Sequence, residues 1–195
     1  MKIFSPPSFY VDCTVNSLRT ASGDWNEQLI RDSFQEDADA IMNIPPGRQS
    51  RWIRPRPGVV KINTDAGISL NNSKVGLGVI IRGSDGQVLA SCGKPLKALH
   101  SPLIAKSLAV LCGISLSVDA RLVPASLETD SETLVKLVNS NAAPLSEVGL
   151  FVSEIVQALN SGVLVNFSFV PRLANATAHC IAKTTLSLDS FPVWM

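Results

Sequence analysis

Two aspartates end short apolar-alternating runs and have the residue type and setting of metal ligands. Asp65 ends the run Val59–Asp65, and Asp130 ends the run Ala125–Asp130. Alternation of apolar and polar residues with period two is typical of a half-buried strand. Because carboxylate oxygens are preferred ligands of hard divalent cations, two aspartates on two strands predict a divalent metal site.

The strand that carries Asp65 opens a group of three short β-prone runs, at 59–65, 76–82 and 88–92. Residues 83–86, Gly-Ser-Asp-Gly, have the composition of a hairpin turn, which favours an antiparallel meander.

Two glycines in the second run, Gly76 and Gly78, match the start of a nucleotide-binding loop motif. That motif, G-x-G-x-x-G, needs a third glycine where Ile81 stands, and a helix after it. We therefore interpret the glycines as points of close backbone approach, either to a ligand or to a packed neighbouring element.

After the meander, the pattern alternates between helices and strands. Ser101 and Pro102 predict a helix start, with a capping hydroxyl and a proline at the first helical position, and apolar residues continue to about Val118. The rest predicts a strand, two helices, a strand and a closing helix, at 126–130, 131–139, 144–159, 163–170 and 175–186. This order predicts a mixed five-stranded α/β sheet flanked by helices.

Several motifs, in this order along the chain, resemble a known family: Trp52, Pro57–Asp65, Gly76–Arg82, Asp85-Gly86, Glu128–Ser131 and Val170–Asn175. Together they are similar to the ribonuclease H type 1-like domain of plants, which is often found downstream of reverse transcriptases. The resemblance implies the ribonuclease H-like fold with strand order 3-2-1-4-5. Ligands of open α/β sheets bind where the strand order reverses, so Asp65 and Asp130 are expected to meet there.

The resemblance also implies a reaction, the two-metal cleavage of the RNA strand of an RNA–DNA hybrid. Magnesium or manganese ions, held by four acids, activate water and stabilise the leaving oxygen. Asp65 and Asp130 match two of these acids and are predicted as catalytic and metal-binding residues. Lys106, within Ala105–Ala109, stands where the family has glutamate, and His179 stands where it has aspartate. Both belong to the predicted catalytic set as degenerate members.

Lys106 is the more damaging of the two changes. A unit cation about 4 Å from another unit charge interacts by roughly 4 kcal/mol at an effective dielectric near 20. A divalent ion is therefore expected to be repelled by Lys106 where it should find a ligand. Two placements stay open for Lys106, a surface position or an ion pair with Asp65 or Asp130. For His179 they are a helix surface or a ligand position, since neutral imidazole can accept a metal or a proton.

Three further residues, Lys61, Arg172 and Asn175, are predicted to contact nucleic acid. For Arg172 and Asn175 the alternative is that they hold the loop after the last strand, and for Lys61 it is a solvated position next to the linker. Glu128 is expected on the same face as Asp130, because side chains alternate along a strand. It could serve there as a substitute carboxylate or as a cross-strand partner.

The first fifty residues differ from the rest of the chain. The stretches 25–34 and 36–42 predict helices without a core, before Pro45-Pro-Gly47. Their motifs are similar to a segment of plant non-LTR retroelement polyproteins: Gly23–Arg31, Phe34, Asp37-Ala38 and Ile41–Pro45. A region that follows this segment in those polyproteins is missing here, which indicates a reading frame derived from such an element. We therefore divide the chain into an extension, a proline- and arginine-rich linker and a domain, at 1–50, 51–58 and 59–190.

Composition bounds the function classes. The chain has 195 residues, 46% hydrophobic and 17% charged, which suits one core with an appendage. Its net charge is +1 and its pI about 7.7, so any nucleic-acid binding must use a local patch. The segment between Lys106 and Asp119 is expected to be too short to span a bilayer, and Ser5–Ser8 interrupts any signal peptide.

The four cysteines, Cys13, Cys92, Cys112 and Cys180, are too widely spaced for a zinc site or a disulfide framework and predict buried thiols. These features predict an intracellular monomer in nucleus or cytoplasm, neither secreted nor bound to membrane. Two functional interpretations stay open: an impaired RNA–DNA hybrid ribonuclease, and a non-catalytic nucleic-acid-binding module. A third is a retroelement-derived fragment without activity.

Overall fold

The computed structural model describes residues 20, 25–42, 51–71, 73–97, 101–140, 146–187 and 193–194. The chain forms two compact units, Met1–Arg51 and Trp52–Met195. Part of the predicted linker, residues 52–58, therefore lies in the same unit as the sheet. The predicted helix break at Pro45-Pro-Gly47 falls outside the described residues.

In its described part, residues 25–42, the first unit forms two short helices, α1 (Glu27–Phe34) and α2 (Ala38–Met42), joined by a 3-10 turn. Asn26 caps α1 by accepting a hydrogen bond from the backbone N–H of Leu29 at 3.1 Å. Ile30 and Ala38 are fully buried in a small apolar cluster. The predicted helices are confirmed, but the expectation that they form no core is wrong at this local scale.

The second unit is built on a mixed sheet. Strands β1 (Val60–Ser69), β2 (Lys74–Arg82) and β3 (Val88–Leu96) form an antiparallel meander. Strands β4 (Ala125–Thr129) and β5 (Leu164–Phe169) lie parallel to β1. The order β5-β4-β1-β2-β3-β6 confirms the predicted 3-2-1-4-5 arrangement.

Two features of the sheet differ from the prediction. A two-residue strand, β6 (Val193–Trp194), pairs with β3 and adds a sixth member. Strand β1 also continues past Asp65 to Ser69, because β2 pairs with it along its whole length. Asp65 therefore lies inside a strand and not at its end.

Helices cover both faces of the sheet. One face packs against α3 (Pro102–Asp119), which is followed by α4 (Glu132–Asn139) and α5 (Glu147–Asn160). The other face packs against α6 (Ala176–Thr185). Ser101 caps α3 as predicted, accepting from the backbone N–H of Ile104. The predicted start of α5 at Pro144 falls outside the described residues.

The main core lies between the sheet and α3, α4 and α5. Alternate residues of β1 and β4, such as Ile62 and Leu127, point into it and are fully buried. Helix α3 has mean hydropathy 1.5 over 18 residues and, among the described residues, is the one helix that passes a length and composition test for a membrane span. Here it packs on β1 and β2, and Ala105, Ala109 and Val110 are fully buried.

On the opposite face of the sheet, glycines of β2 allow the backbone of α6 to pack directly against the strand. A Cβ atom at Gly76 would lie 2.3 Å from the carbonyl oxygen of Ala182, and one at Gly78 would lie 2.4 Å from that of Ala178. No side chain fits at either position unless α6 moves. Of the two interpretations of these glycines, the structure supports packing against a neighbouring element.

The three described cysteines are free thiols. Cys92 is buried, as predicted, and its sulfur lies 3.9 Å from that of Cys112. The hydrogen bond to Cys112 and burial raise the pKa of Cys92. Cys180 is exposed on α6, so the prediction of a buried thiol is wrong there.

Candidate active site

The two predicted acids lie where β1 and β4 part. Parallel pairing between these strands ends at Thr64 and Thr129, and the next residue on each strand is Asp65 and Asp130. The side chain of Asp65 is 3% exposed and that of Asp130 is 9% exposed. The fold therefore brings both acids to the point where the parallel pairing of β1 with β4 ends, although β1 itself continues to Ser69.

Lys106 lies in the first half of α3 and inserts its ammonium group between the two acids. Its Nζ lies 3.2 Å from Oδ1 of Asp65 and donates a short hydrogen bond to Oδ1 of Asp130. The side chain is 21% exposed. Of the two placements left open by the sequence, the structure shows the ion pair, and it joins Lys106 to both acids.

His179 lies on α6 and contacts the other oxygen of Asp65. Its Nδ1 lies 2.7 Å from Oδ2 of Asp65, and its Nε2 lies 2.8 Å from a guanidinium nitrogen of Arg172. An arginine can only donate, so we assign Nε2 as the acceptor and Nδ1 as the donor to Asp65. With this assignment Oδ2 of Asp65 accepts from His179, whereas Oδ1 lies in ion-pair range of Lys106 without a hydrogen bond.

Asn175 joins the start of α6 to the strand beside the acids. Its buried side-chain amide donates to the backbone carbonyl of Thr64 at 2.9 Å. The residue therefore holds the loop before α6, one of the two roles left open for it. Arg172 in the same loop is exposed and keeps hydrogen-bonding capacity beyond its contact with His179.

Lys61 lies in a separate polar cluster, nearer the start of β1. Its Nζ lies 2.5 Å from Oε1 of Glu128 and donates to the carbonyl of Ile53 at 2.7 Å. The Lys61 and Glu128 side chains are 8% and 5% exposed. A buried ammonium cannot reach a phosphate without breaking this pair, so the structure argues against the predicted nucleic-acid contact. Glu128 is the cross-strand partner, not a substitute metal ligand.

Three more side chains belong to the cluster of Lys61 and Glu128. Asn63 donates to the other oxygen of Glu128 at 3.0 Å and accepts from Trp52 and Arg82. The guanidinium of Arg82 lies 3.8 Å from the centre of the Trp52 ring, in cation–π contact. Burial lowers the pKa of Arg82, and the charge of Glu128 opposes that shift. Sequence reasoning missed this network, although period-two alternation from Asp65 to Lys61 offered a signal for it.

A metal ion does not fit the acid pair as the residues stand. Among the residues that the structure describes, no group of three or more histidine, cysteine, aspartate or glutamate side chains could hold one. The oxygens of Asp65 and one oxygen of Asp130 already face Lys106 or His179. The two carboxylates and Lys106 together carry one net negative charge, which attracts a divalent cation weakly.

The site is nevertheless open to solvent. A depression of about 280 Å³ lies beside Lys106 and Asp130, between the starts of α3 and α4. The other residues that line it are Pro102, Leu103, Ser131, Glu132 and Thr133.

The family model described as "Reverse transcriptase-like" matches residues 63–185. The fold is similar to RNase H1 from the archaeon Halobacterium salinarum, with TM-score 0.56 and 18% identity, over 66% of this chain and 98% of that one. It is also similar to LC11-RNase H1, isolated from compost, in complex with an RNA/DNA hybrid, with TM-score 0.54 and 22% identity, over 64% and 94%.

A longer similar structure is a foamy viral protease-reverse transcriptase in complex with an RNA/DNA hybrid. Its TM-score is 0.52 and its identity 17%, over 74% of this chain and 22% of that one. No curated protein matches the sequence.

Proposed function

The chain belongs to the reverse transcriptase-like family, and from that premise we propose that its second unit binds RNA–DNA hybrids but hydrolyses them poorly or not at all. The proposal has two parts, binding and impaired cleavage.

The binding part is supported by the RNase H-like fold and by the ligands of similar proteins. Two of the similar structures are complexes with RNA/DNA hybrids. In this chain, Arg172 presents an exposed guanidinium beside the acid pair, and arginine suits contacts to phosphates. A preference for hybrids would come from contacts to ribose 2′-hydroxyl groups, which distinguish an RNA strand from DNA.

The cleavage part is carried by one observation, the contact of Lys106 with both Asp65 and Asp130. Two-metal hydrolysis needs these carboxylates to hold ions that activate water and stabilise the leaving oxygen. In this chain an ammonium group lies between them instead. His179 cannot replace the missing acid, because its Nδ1 donates to Asp65 and Arg172 covers its Nε2.

Two measurements on the purified full chain test the proposal. Fluorescence anisotropy with a labelled RNA–DNA hybrid measures binding, and gel electrophoresis of the same hybrid with magnesium or manganese measures cleavage. We expect binding without efficient cleavage, and binding at least tenfold weaker for Arg172→Ala. Lys183→Ala, an exposed lysine on α6, serves as the matched control for loss of a surface cation.

The outcomes separate the competing functions. Efficient cleavage by the natural protein that Asp65→Asn abolishes would show an active ribonuclease and refute the impaired-cleavage part. Cleavage that appears only in Lys106→Glu would support an intact groove around a blocked site. Absence of hybrid binding would favour the remaining alternative, a retroelement-derived fragment without activity.

A further inference from the structure

The ammonium of Lys106 lies between two carboxylates, where a positive charge favours the ionised form of both. Asp65 and Asp130 come from neighbouring strands, and Lys106 contacts one oxygen of each. Two carboxylates that share a site repel each other when both are ionised, unless a positive charge lies near them. In this chain the positive charge is covalently part of α3.

We infer that Lys106 is a tethered counter-ion, which closes the Asp65–Asp130 pair to divalent metal and makes the domain independent of metal. We infer that the domain needs no metal either to fold or to bind nucleic acid. The binding half rests on the proposed function, whereas the folding half and the exclusion of metal stand without it.

Metal exclusion follows from how the oxygens are used. Oδ1 of Asp65 faces Lys106, and Oδ2 accepts from His179. Oδ1 of Asp130 accepts from Lys106. An entering divalent ion would have to displace an ammonium group that is held at high local concentration by its own helix. Lys106 is also four-fifths buried, so solvent screens its repulsion of that ion only partly.

Removal of the ammonium is expected to reverse this preference. Lys106→Met keeps an unbranched side chain against the same neighbours but leaves the two carboxylates without a cation between them. The variant should be less stable than the natural protein in EDTA and should recover when a divalent ion binds. A ligand that binds only the folded state raises its stability by mass action.

Thermal unfolding with increasing Mn²⁺ tests the inference without nucleic acid. For the natural chain we expect the same Tm in EDTA and in Mn²⁺. For Lys106→Met we expect a lower Tm in EDTA and a rise of about 5–10 °C at saturating Mn²⁺. Lys136→Met is the matched control, because Lys136 forms only an exposed pair with Glu132 within α4. It should respond to Mn²⁺ as the natural chain does.

A rise in the Tm of the natural chain equal to that of Lys106→Met would overturn the inference. Isothermal titration of the natural protein with Mn²⁺ provides a test that does not depend on the folding of Lys106→Met. Heat of binding that Asp65→Asn removes would show a metal at the pair and refute metal exclusion. Absence of such heat supports it.

The Kd for the RNA–DNA hybrid, measured in EDTA and in magnesium, tests the part of the inference that concerns nucleic-acid binding. Equal Kd values in the two conditions support a built-in counter-ion. Binding that is lost in EDTA and restored by magnesium overturns that half. Absence of binding in both conditions refutes the proposed function instead, and the melting and titration experiments still decide whether Lys106 excludes metal.

Discussion

Two lysine–carboxylate clusters lie along β1, and they differ in solvent exposure more than in residue type. In the first, Lys61 and Glu128 are 8% and 5% exposed, and the ammonium also donates to a backbone carbonyl. In the second, Lys106 is 21% exposed and is shared between two carboxylates beside an open depression. Both clusters pair a lysine on one element with an acid on another.

The difference shows how the same pair of groups can hold a sheet together or form a site. The first cluster satisfies Glu128 through Lys61 and Asn63 and is covered by Trp52. The second leaves Asp130, Lys106 and Arg172 accessible from solvent to differing degrees. Access, and not residue type, separates the structural pair from the candidate site.

The largest expected effect comes from breaking the closed pair. Lys61→Met removes the partner of a buried carboxylate, which typically costs about 3–5 kcal/mol of unfolding free energy. Urea denaturation measures the loss. Lys61→Met combined with Glu128→Leu should recover part of it, because neither substituted residue is charged, whereas Arg82 loses the nearby charge of Glu128. A loss in Lys61→Met no larger than that of a surface substitution would show that the first cluster is open as well.

An intermediate effect is expected for the open cluster. A double-mutant cycle with Lys106→Met and Asp130→Asn should give a coupling energy of roughly 0.5–3 kcal/mol, the range for residues in contact. Because Lys106 reaches solvent, this coupling should shrink when 1 M NaCl is added, whereas the loss in Lys61→Met should change little. Equal salt dependence of the two clusters would remove the distinction between them.

The smallest effect is expected at the cover of the closed cluster. Trp52→Phe keeps an aromatic ring near Arg82 but removes the indole N–H that donates to Asn63 at 3.0 Å. Loss of one hydrogen bond should cost about 1 kcal/mol of unfolding free energy. Trp52→Ala, measured beside it by urea denaturation, should cost more, since the ring contact is lost too. Equal losses would show that the ring contributes nothing.

Sequence reasoning reached the strand order and the meeting of Asp65 with Asp130, because the motifs carry a family resemblance. It left two placements open for Lys106, a surface position and an ion pair. The apolar surface of α3 is broad, so the sequence does not specify how the helix is rotated about its axis when it packs on the sheet. Sequence reasoning predicted a nucleic-acid contact for Lys61. Glu128 reaches the ammonium of Lys61 because of the register between β1 and β4. That register is a tertiary property, which the sequence alone does not give.

Other misses have similar physical origins. Strand β6 is two residues long and has too few positions for an alternating pattern. The extension of β1 beyond Asp65 depends on pairing with β2 through Gly67 and Gly76, residues whose intrinsic strand propensity is low. The role of Trp52 depends on Arg82 and Asn63, which come from two different strands.

The glycines beneath α6 also determine which substitutions the domain can tolerate. In a library of all single substitutions scored for abundance of folded protein, Gly76 and Gly78 should be among the most intolerant positions, although neither contributes a side chain. An added methyl group at Gly78 would meet the backbone of α6 next to Ala178, one residue before His179. The candidate site can therefore be damaged by adding atoms on a strand that supplies none of its polar groups.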